Sequence, residues 1–203
     1  EITGENGSWT IESAATFDLA GATLACPQSG SLTLSPSGDS TLLWNSGTIH
    51  GILNIPSGTT LLMPAGGYYK TLGAPALPGV INNSGIMKWQ STYRIYGRGN
   101  NDAGATINNL PGGVFDIAQD GDPLDYEGSN ATCVFNNRGR IVKSAGAGSS
   151  GLGNLWRFNN EPAAVIHNAV AGSRFSRGSS SATLIKSGSV LRGPGIIGLD
   201  GGE

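Results

Sequence analysis

The sequence predicts an all-β chain folded as a single-stranded right-handed parallel β-helix, a β-solenoid with irregular coils and loop insertions. Three observations carry this expectation. Glycine supplies 33 of the 203 residues and charged side chains only 13%, with Ser, Thr and Asn filling much of the rest; that composition suits turns and β-branched strands. No ten-residue stretch shows a helical apolar period bounded by caps, so almost no helix is expected. Lastly, a motif of a large apolar residue, asparagine and usually glycine recurs at intervals within the range of about 20 to 50 residues that marks solenoids and propellers.

The copies are "WNSG" from 44, "INNSG" from 81, "INNLPGG" from 107, "FNNRG" from 135 and "FNNEPA" from 158. Aligning Asn45, Asn83, Asn109, Asn137 and Asn160 gives steps of 38, 26, 28 and 23 residues. A propeller blade needs about 40 residues and four strands, more than most of these steps provide. A solenoid coil of roughly 20 to 30 residues with two or three short strands fits them. Stacked coils repeat every ~4.8 Å, so equivalent asparagines lie above one another. Their amides both donate and accept and so pass hydrogen bonds along a ladder, and asparagine also tolerates left-handed turn geometry.

Taken in order, residues 1–40 are expected to form the first coils or an N-terminal cap, because "GSWTIESAATFDLAGATL" alternates apolar and polar residues without the asparagine turn. Residues 41–203 form the asparagine-turn coils of the same single domain, with "GTIHGILNI", "GIMKW", "GVFDIA" and "GRIVKS" as strands between glycines. The long first step predicts an inserted loop at "GYYKTLGAPALPGV", residues 67–80, and the glycine-rich run 144–154 predicts a second, flexible excursion. "SGSVLRGPGIIGLDGG" keeps the strand-and-glycine rhythm to the end, which predicts an uncapped edge. A start at Glu1 without methionine and a stop in mid-pattern suggest a piece of a longer protein.

The net charge is −2, from 12 basic and 14 acidic side chains with no basic block. Nucleic acid is therefore not an expected partner, since neutralising phosphates needs clustered Lys and Arg. Membrane insertion is not expected either, because no apolar run approaches the roughly 18 residues of a bilayer span. Cys26 and Cys133 are separated by the turns at Asn45, Asn83 and Asn109. Three coils place them roughly 14 Å apart along the axis, beyond the ~7 Å limit of a disulfide, so two unpaired thiols are expected.

With its asparagine turns flanked by apolar residues, the run from Trp44 to Asn168, roughly 60% of the chain, resembles the irregular right-handed parallel β-helix of bacterial secreted and surface proteins. Autotransporter passengers and filamentous-haemagglutinin-like adhesins are examples. The resemblance implies a secreted or cell-surface segment that serves adhesion or acts as a stalk without catalysis. It also implies glycans or a host or cell-surface protein as partners, and further domains in a longer chain.

Two constellations carry candidate chemistry. The acidic run "DGDPLDYE" offers Asp120, Asp122, Asp125 and Glu127 as oxygen ligands for calcium as a cofactor, though without EF-hand spacing. The alternative is a solvated acidic loop. Two of Asp102, Asp116, Asp120 and Asp122, with Arg94, Arg98 or Lys143, would serve a polysaccharide lyase or glycoside hydrolase; the G-H-G and R-I-K elements of polygalacturonases are missing, and His50 and His167 stand alone. Second, Tyr68, Tyr69, Tyr93 and Tyr96 with Arg94 are candidate glycan contacts, because flat rings beside a guanidinium stack on sugars. The alternative places these rings on the outer turns as packing residues.

Overall fold

The structure, a computed structural model, describes residues 2–3, 16–25, 31–33, 40–75, 77–99, 104–127, 132–153, 156–176 and 183–198. The described residues contain no helix, and hence none long and apolar enough to cross a membrane. Their strands stack in parallel into a β-solenoid of about six turns. A representative coil runs through Thr60–Met63, Lys70–Leu72 and Gly79–Asn83, one strand on each of three faces. The next repeats it with Ile86–Trp89, Ile95–Gly97 and Thr106–Asn109 in register. Below, the single strand Thr41–Ile55 supplies the rungs of all three faces, turning its corners at Gly47 (φ 95°) and Gly51 (φ 76°). Such positive φ values are open to glycine at little cost.

Alternation along each strand sends every second side chain inward, and identical register stacks these into columns. Leu42, Leu61, Met87, Phe115, Ile141 and Ile166 form one; Leu53, Ile81, Ile107, Phe135 and Phe158 form another. All are buried, and each such side chain contributes about 1.5–3 kcal/mol relative to exposure. The interior is a stack of like residues, so its stability is close to a sum over neighbouring coils.

Several expectations are corrected. Among the described residues of 67–80 there is no inserted loop: Lys70–Leu72 and Gly79–Asn83 are regular rungs, and the rung equivalent to Asn83 below it is Ile55, not Asn45. Residues 144–154 are not a loose excursion where described. Ser149–Gly151 pairs with Arg174–Ser176, and Ser150, Gly151, Leu152 and Gly153 are buried. Glycine is needed there because the coils touch: a Cβ at Gly151 would meet Ser176 O at 2.7 Å and Asp122 Oδ1 at 2.8 Å.

Thr16–Ala25 and Ser31–Thr33 stack in parallel under Thr41–Ile55 as earlier coils. At the other end Leu184, Val190, Leu191 and Ile196 are exposed, and Leu184 and Ile196 are more than half so (51% and 55%). Cys133 is buried and unpaired, and burial pushes its thiol up to about 11. Cys26 lies outside the described residues.

Candidate functional site

The four tyrosines come together at the corner between the first and second faces. Tyr68 and Tyr69 lie in the turn between Thr60–Met63 and Lys70–Leu72; Tyr93 lies in the same turn of the next coil, and Tyr96 on the strand Ile95–Gly97. Tyr68 stacks on Tyr93 with centroids 5.9 Å apart and planes at 29°. Tyr69 meets Tyr93 edge-on at 5.2 Å and Tyr96 at 5.4 Å. Tyr68 and Tyr69 are 68% and 61% exposed, so the rings form an aromatic surface open to solvent.

This surface is anchored from beneath. The turn is pinned to the coil below by Tyr68 N donating to Asn45 O (2.8 Å) and Gly47 N to Tyr69 O (3.2 Å). The side chain of Lys70 points inward and is fully buried. Its Nζ donates to Tyr68 O (2.9 Å) and Ser91 Oγ (3.1 Å), and Ser91 Oγ accepts from Tyr93 N (3.0 Å). Trp89 Nε1 adds a bond to Tyr93 O at 3.1 Å. One buried ammonium therefore ties together the two turns that carry the rings. No carboxylate accompanies it among the described residues, and burial lowers its pKa to about 8.

The acidic residues are each engaged by a cation from an adjacent coil. Arg94 pairs with Asp125 (2.7 Å) and approaches Asp122 (3.7 Å); Arg98 pairs with Glu127; Asp116 faces Lys88 at 3.8 Å. The bond to Asp125, above all, raises the Arg94 pKa. Asp120 Oδ1 accepts from Lys143 Nζ at 2.8 Å, and its carboxylate also accepts from Gly148 N. The Lys143 bond, with that of Gly148, holds the Asp120 carboxyl below its usual range. Lys143 is fully buried, stacked over Ile117, and completes its bonding with Ala145 O and Ser150 Oγ. The glycines of 144–154 thus fold over a carboxylate. Among the described residues no group of three or more His, Cys, Asp or Glu is placed to hold a metal ion. Asp102 lies outside the described residues.

The asparagines form two ladders, not one. On the inside, Asn83 donates to Asn109 (2.8 Å), Asn109 to Asn137 (2.8 Å) and Asn137 to Asn160 (2.7 Å), all fully buried. The run ends under Ile185, leaving Asn83 Oδ1 and Asn160 Nδ2 without partners. On the outside, Asn159 donates to Asn136 (2.8 Å), and Asn136 to Asn108, Asn108 to Asn82 and Asn82 to Asn54 (2.9 Å each); Asn54 donates to Thr33 Oγ1 (3.1 Å). Bonds run toward the C-terminus inside and toward the N-terminus outside. None of these asparagines has a positive φ; they occupy extended strand, not left-handed turns. Asn45 belongs to neither ladder and donates to Asp18 Oδ1 at 2.6 Å.

The sequence reading overlooked the outer ladder, although the doubled asparagine was its signal: in a strand, one Asn of each pair must face out. It also overlooked Lys70, whose inward parity follows from Leu72 two residues on. His167 does not stand alone, since its Nδ1 lies 3.0 Å from Arg140 Nη2.

No protein-family profile matches the chain, and no curated protein matches it. Among solved structures, the crystal structure of a TibC-catalyzed hyper-glycosylated TibA fragment aligns at 15% identity over 93% of this chain and 97% of that one. Its TM-score is 0.13, too low to support an inference about this chain.

Proposed function

We propose that this chain is a non-catalytic, secreted or cell-surface β-solenoid segment that serves adhesion, with the tyrosine corner as its contact for a glycan. The observation that carries the reading is the contiguous surface of the exposed Tyr68 and Tyr69 with the half-buried Tyr93 and Tyr96, held on two adjacent coils by the buried Lys70. Aromatic faces stack on the C–H side of a sugar ring and dehydrate it, while polar groups at the rim take its hydroxyls. The Arg94, Asp122 and Asp125 cluster stands beside Tyr96 as such a rim. Rigid placement favours binding, because little side-chain freedom is left to lose. The engagement of Asp120, Asp122 and Asp125 with cations supports the non-catalytic side of this reading; a hydrolase needs a carboxyl free to exchange a proton with substrate.

Calorimetry against a panel of neutral and acidic oligosaccharides tests it. Binding by the native chain should fall at least about tenfold in a Tyr68→Ala/Tyr69→Ala variant, as expected from losing stacking contacts worth about 1.4 kcal/mol or more. New reducing ends or unsaturated products from any polysaccharide of the panel would overturn the non-catalytic reading, and unchanged affinity in the double variant would overturn the assignment of the contact.

A further inference from the structure

On the first face, on three successive coils, lie Arg140, His167 and Arg192. His167 points outward from the strand Val165–Asn168, with Val142 as its neighbour below and Arg192 above. Arg140, on the coil below, reaches up so that Nη2 is 3.0 Å from His167 Nδ1. Guanidinium has no acceptor, so Nη2 donates and Nδ1 accepts, which places the imidazole proton on Nε2. Arg140 Nε has no partner at all, and neither arginine forms an ion pair among the described residues, unlike Arg94 and Arg98.

Among the described residues no carboxylate forms an ion pair with this cluster. In the column of His167 the nearest carboxylate among the described residues is Asp116, two coils below with Val142 between them and one coil below the strand of Arg140; its Oδ2 faces Lys88 and its buried Oδ1 has no hydrogen-bond partner. Lys143, on the strand of Arg140, is inward and bound to Asp120; Glu161, before the strand of His167, is bound to Lys186. Gly193 packs close to the ring edge, where a Cβ would come within 3.0 Å of His167 Cδ2. Two cations thus flank one imidazole, and no carboxylate among the described residues is paired with either, in a chain of net charge −2.

We propose that Arg140, His167 and Arg192 form a binding site for a tetrahedral oxyanion, a sulfate or phosphate monoester group. Two guanidinium groups, one on the coil below His167 and one on the coil above it, can each direct N–H donors at one such group, a geometry that favours Arg over Lys. The imidazole makes the site pH-dependent. Burial first, then the charges of Arg140 and Arg192, lower the His167 pKa below its usual value. A bound oxyanion reverses the charge contribution, and protonation of Nδ1 replaces an acceptor with a third donor. By linkage the anion binds more tightly as pH falls through the titration of His167, and binding raises that titration midpoint.

The test is an NMR titration of both imidazoles in the full chain, in sodium sulfate against sodium chloride at equal ionic strength, with His50 as internal reference. The His167 midpoint should rise by about one pH unit in saturating sulfate relative to chloride. In Arg192→Gln, an exposed position where folding is not at risk, the sulfate-dependent rise should disappear. Arg140→Gln should remove it too and raise the midpoint in chloride. A sulfated disaccharide acting at a concentration at least about tenfold lower than free sulfate identifies a sugar ester as the ligand; equal potency identifies the free oxyanion. A His167 midpoint that ignores sulfate, or a rise that persists in Arg192→Gln, would overturn the proposal.

Discussion

Removing one amide from the inner asparagine ladder should cost far more than removing its neighbour from the outer one. Asn109 is fully buried; its Nδ2 donates to Asn137 Oδ1 at 2.8 Å and Arg140 O at 3.1 Å, and its Oδ1 accepts from Asn83 Nδ2 at 2.8 Å. Asn109→Ala strands Asn137 Oδ1 where no water reaches it, at about 1–3 kcal/mol, and forfeits two further bonds worth about 1 kcal/mol each. Asn83 Nδ2 is spared the full penalty because it also donates to Val114 O. The sum is about 3–5 kcal/mol. Asn108, one residue earlier, makes two bonds of 2.9 Å on the half-buried outer surface. Water replaces them there, so Asn108→Ala should cost about 1 kcal/mol or less. Urea unfolding of both variants measures the difference, with an unchanged m-value required so that midpoint shifts report stability alone. Equal losses, or a loss under about 1 kcal/mol for Asn109→Ala, would refute the reasoning.

Other outcomes follow from the same geometry. Ile185→Asn places an amide above the unpartnered Asn160 Nδ2; by thermal or urea unfolding it should change stability by less than about 1 kcal/mol, because a satisfied orphan offsets the lost apolar area. Burial lowers the pKa of Lys70 to about 8 from 10.5. The unfolded chain therefore binds more protons between these values, and stability should rise with pH across that window by about 3 kcal/mol. Lys70→Met should abolish that slope, and a variant with the native slope would count against a buried, unpaired ammonium. Gly97→Ala would bring a Cβ within 2.5 Å of Cys133 Sγ and 2.7 Å of Trp156 Cζ2; overpacking of this kind should cost about 1–3 kcal/mol in a denaturant melt. Melts in calcium and in chelator should nearly coincide, since Asp120, Asp122, Asp125 and Glu127 are engaged by cations; a calcium-dependent gain of several kcal/mol, the linkage signature of a tight ligand, would contradict this.

The coil repeat is legible in the sequence because Ile81, Ile107, Phe135 and Phe158 each precede two asparagines, so the strand's alternation is written in three consecutive residues. Asn45 misleads for a physical reason. It follows a large apolar residue, Trp44, and precedes Ser-Gly, but its strand turns two corners at glycines without leaving the ladder of backbone bonds, and the true equivalent of Asn83 is the apolar Ile55. The run 144–154 reads as loose because glycine content reports conformational freedom in isolation and not the close approach of a second chain segment. The ion pairs were invisible because their partners lie a coil apart, Lys143 and Asp120 at 23 residues and Arg94 and Asp125 at 31. Such pairs emerge only once the register is fixed. The tyrosine corner was half legible: its members cluster in sequence, but Lys70, which holds them, is a charged residue at a position where alternation demands an apolar one.

The opposed directions of the two asparagine ladders bear on how such a fold changes length. A side-chain amide carries a dipole, and a head-to-tail row of them adds up along the solenoid axis as peptide units do along a helix. Here every coil that lengthens the inner row also lengthens the outer one, and the two vectors oppose each other. Coils added or deleted as whole units therefore leave the axial polarity of this rail pair nearly unchanged, and neither end accumulates partial charge from it. A single row, growing with each coil, would burden its last members with an increasing field and its ends with increasingly costly orphan groups.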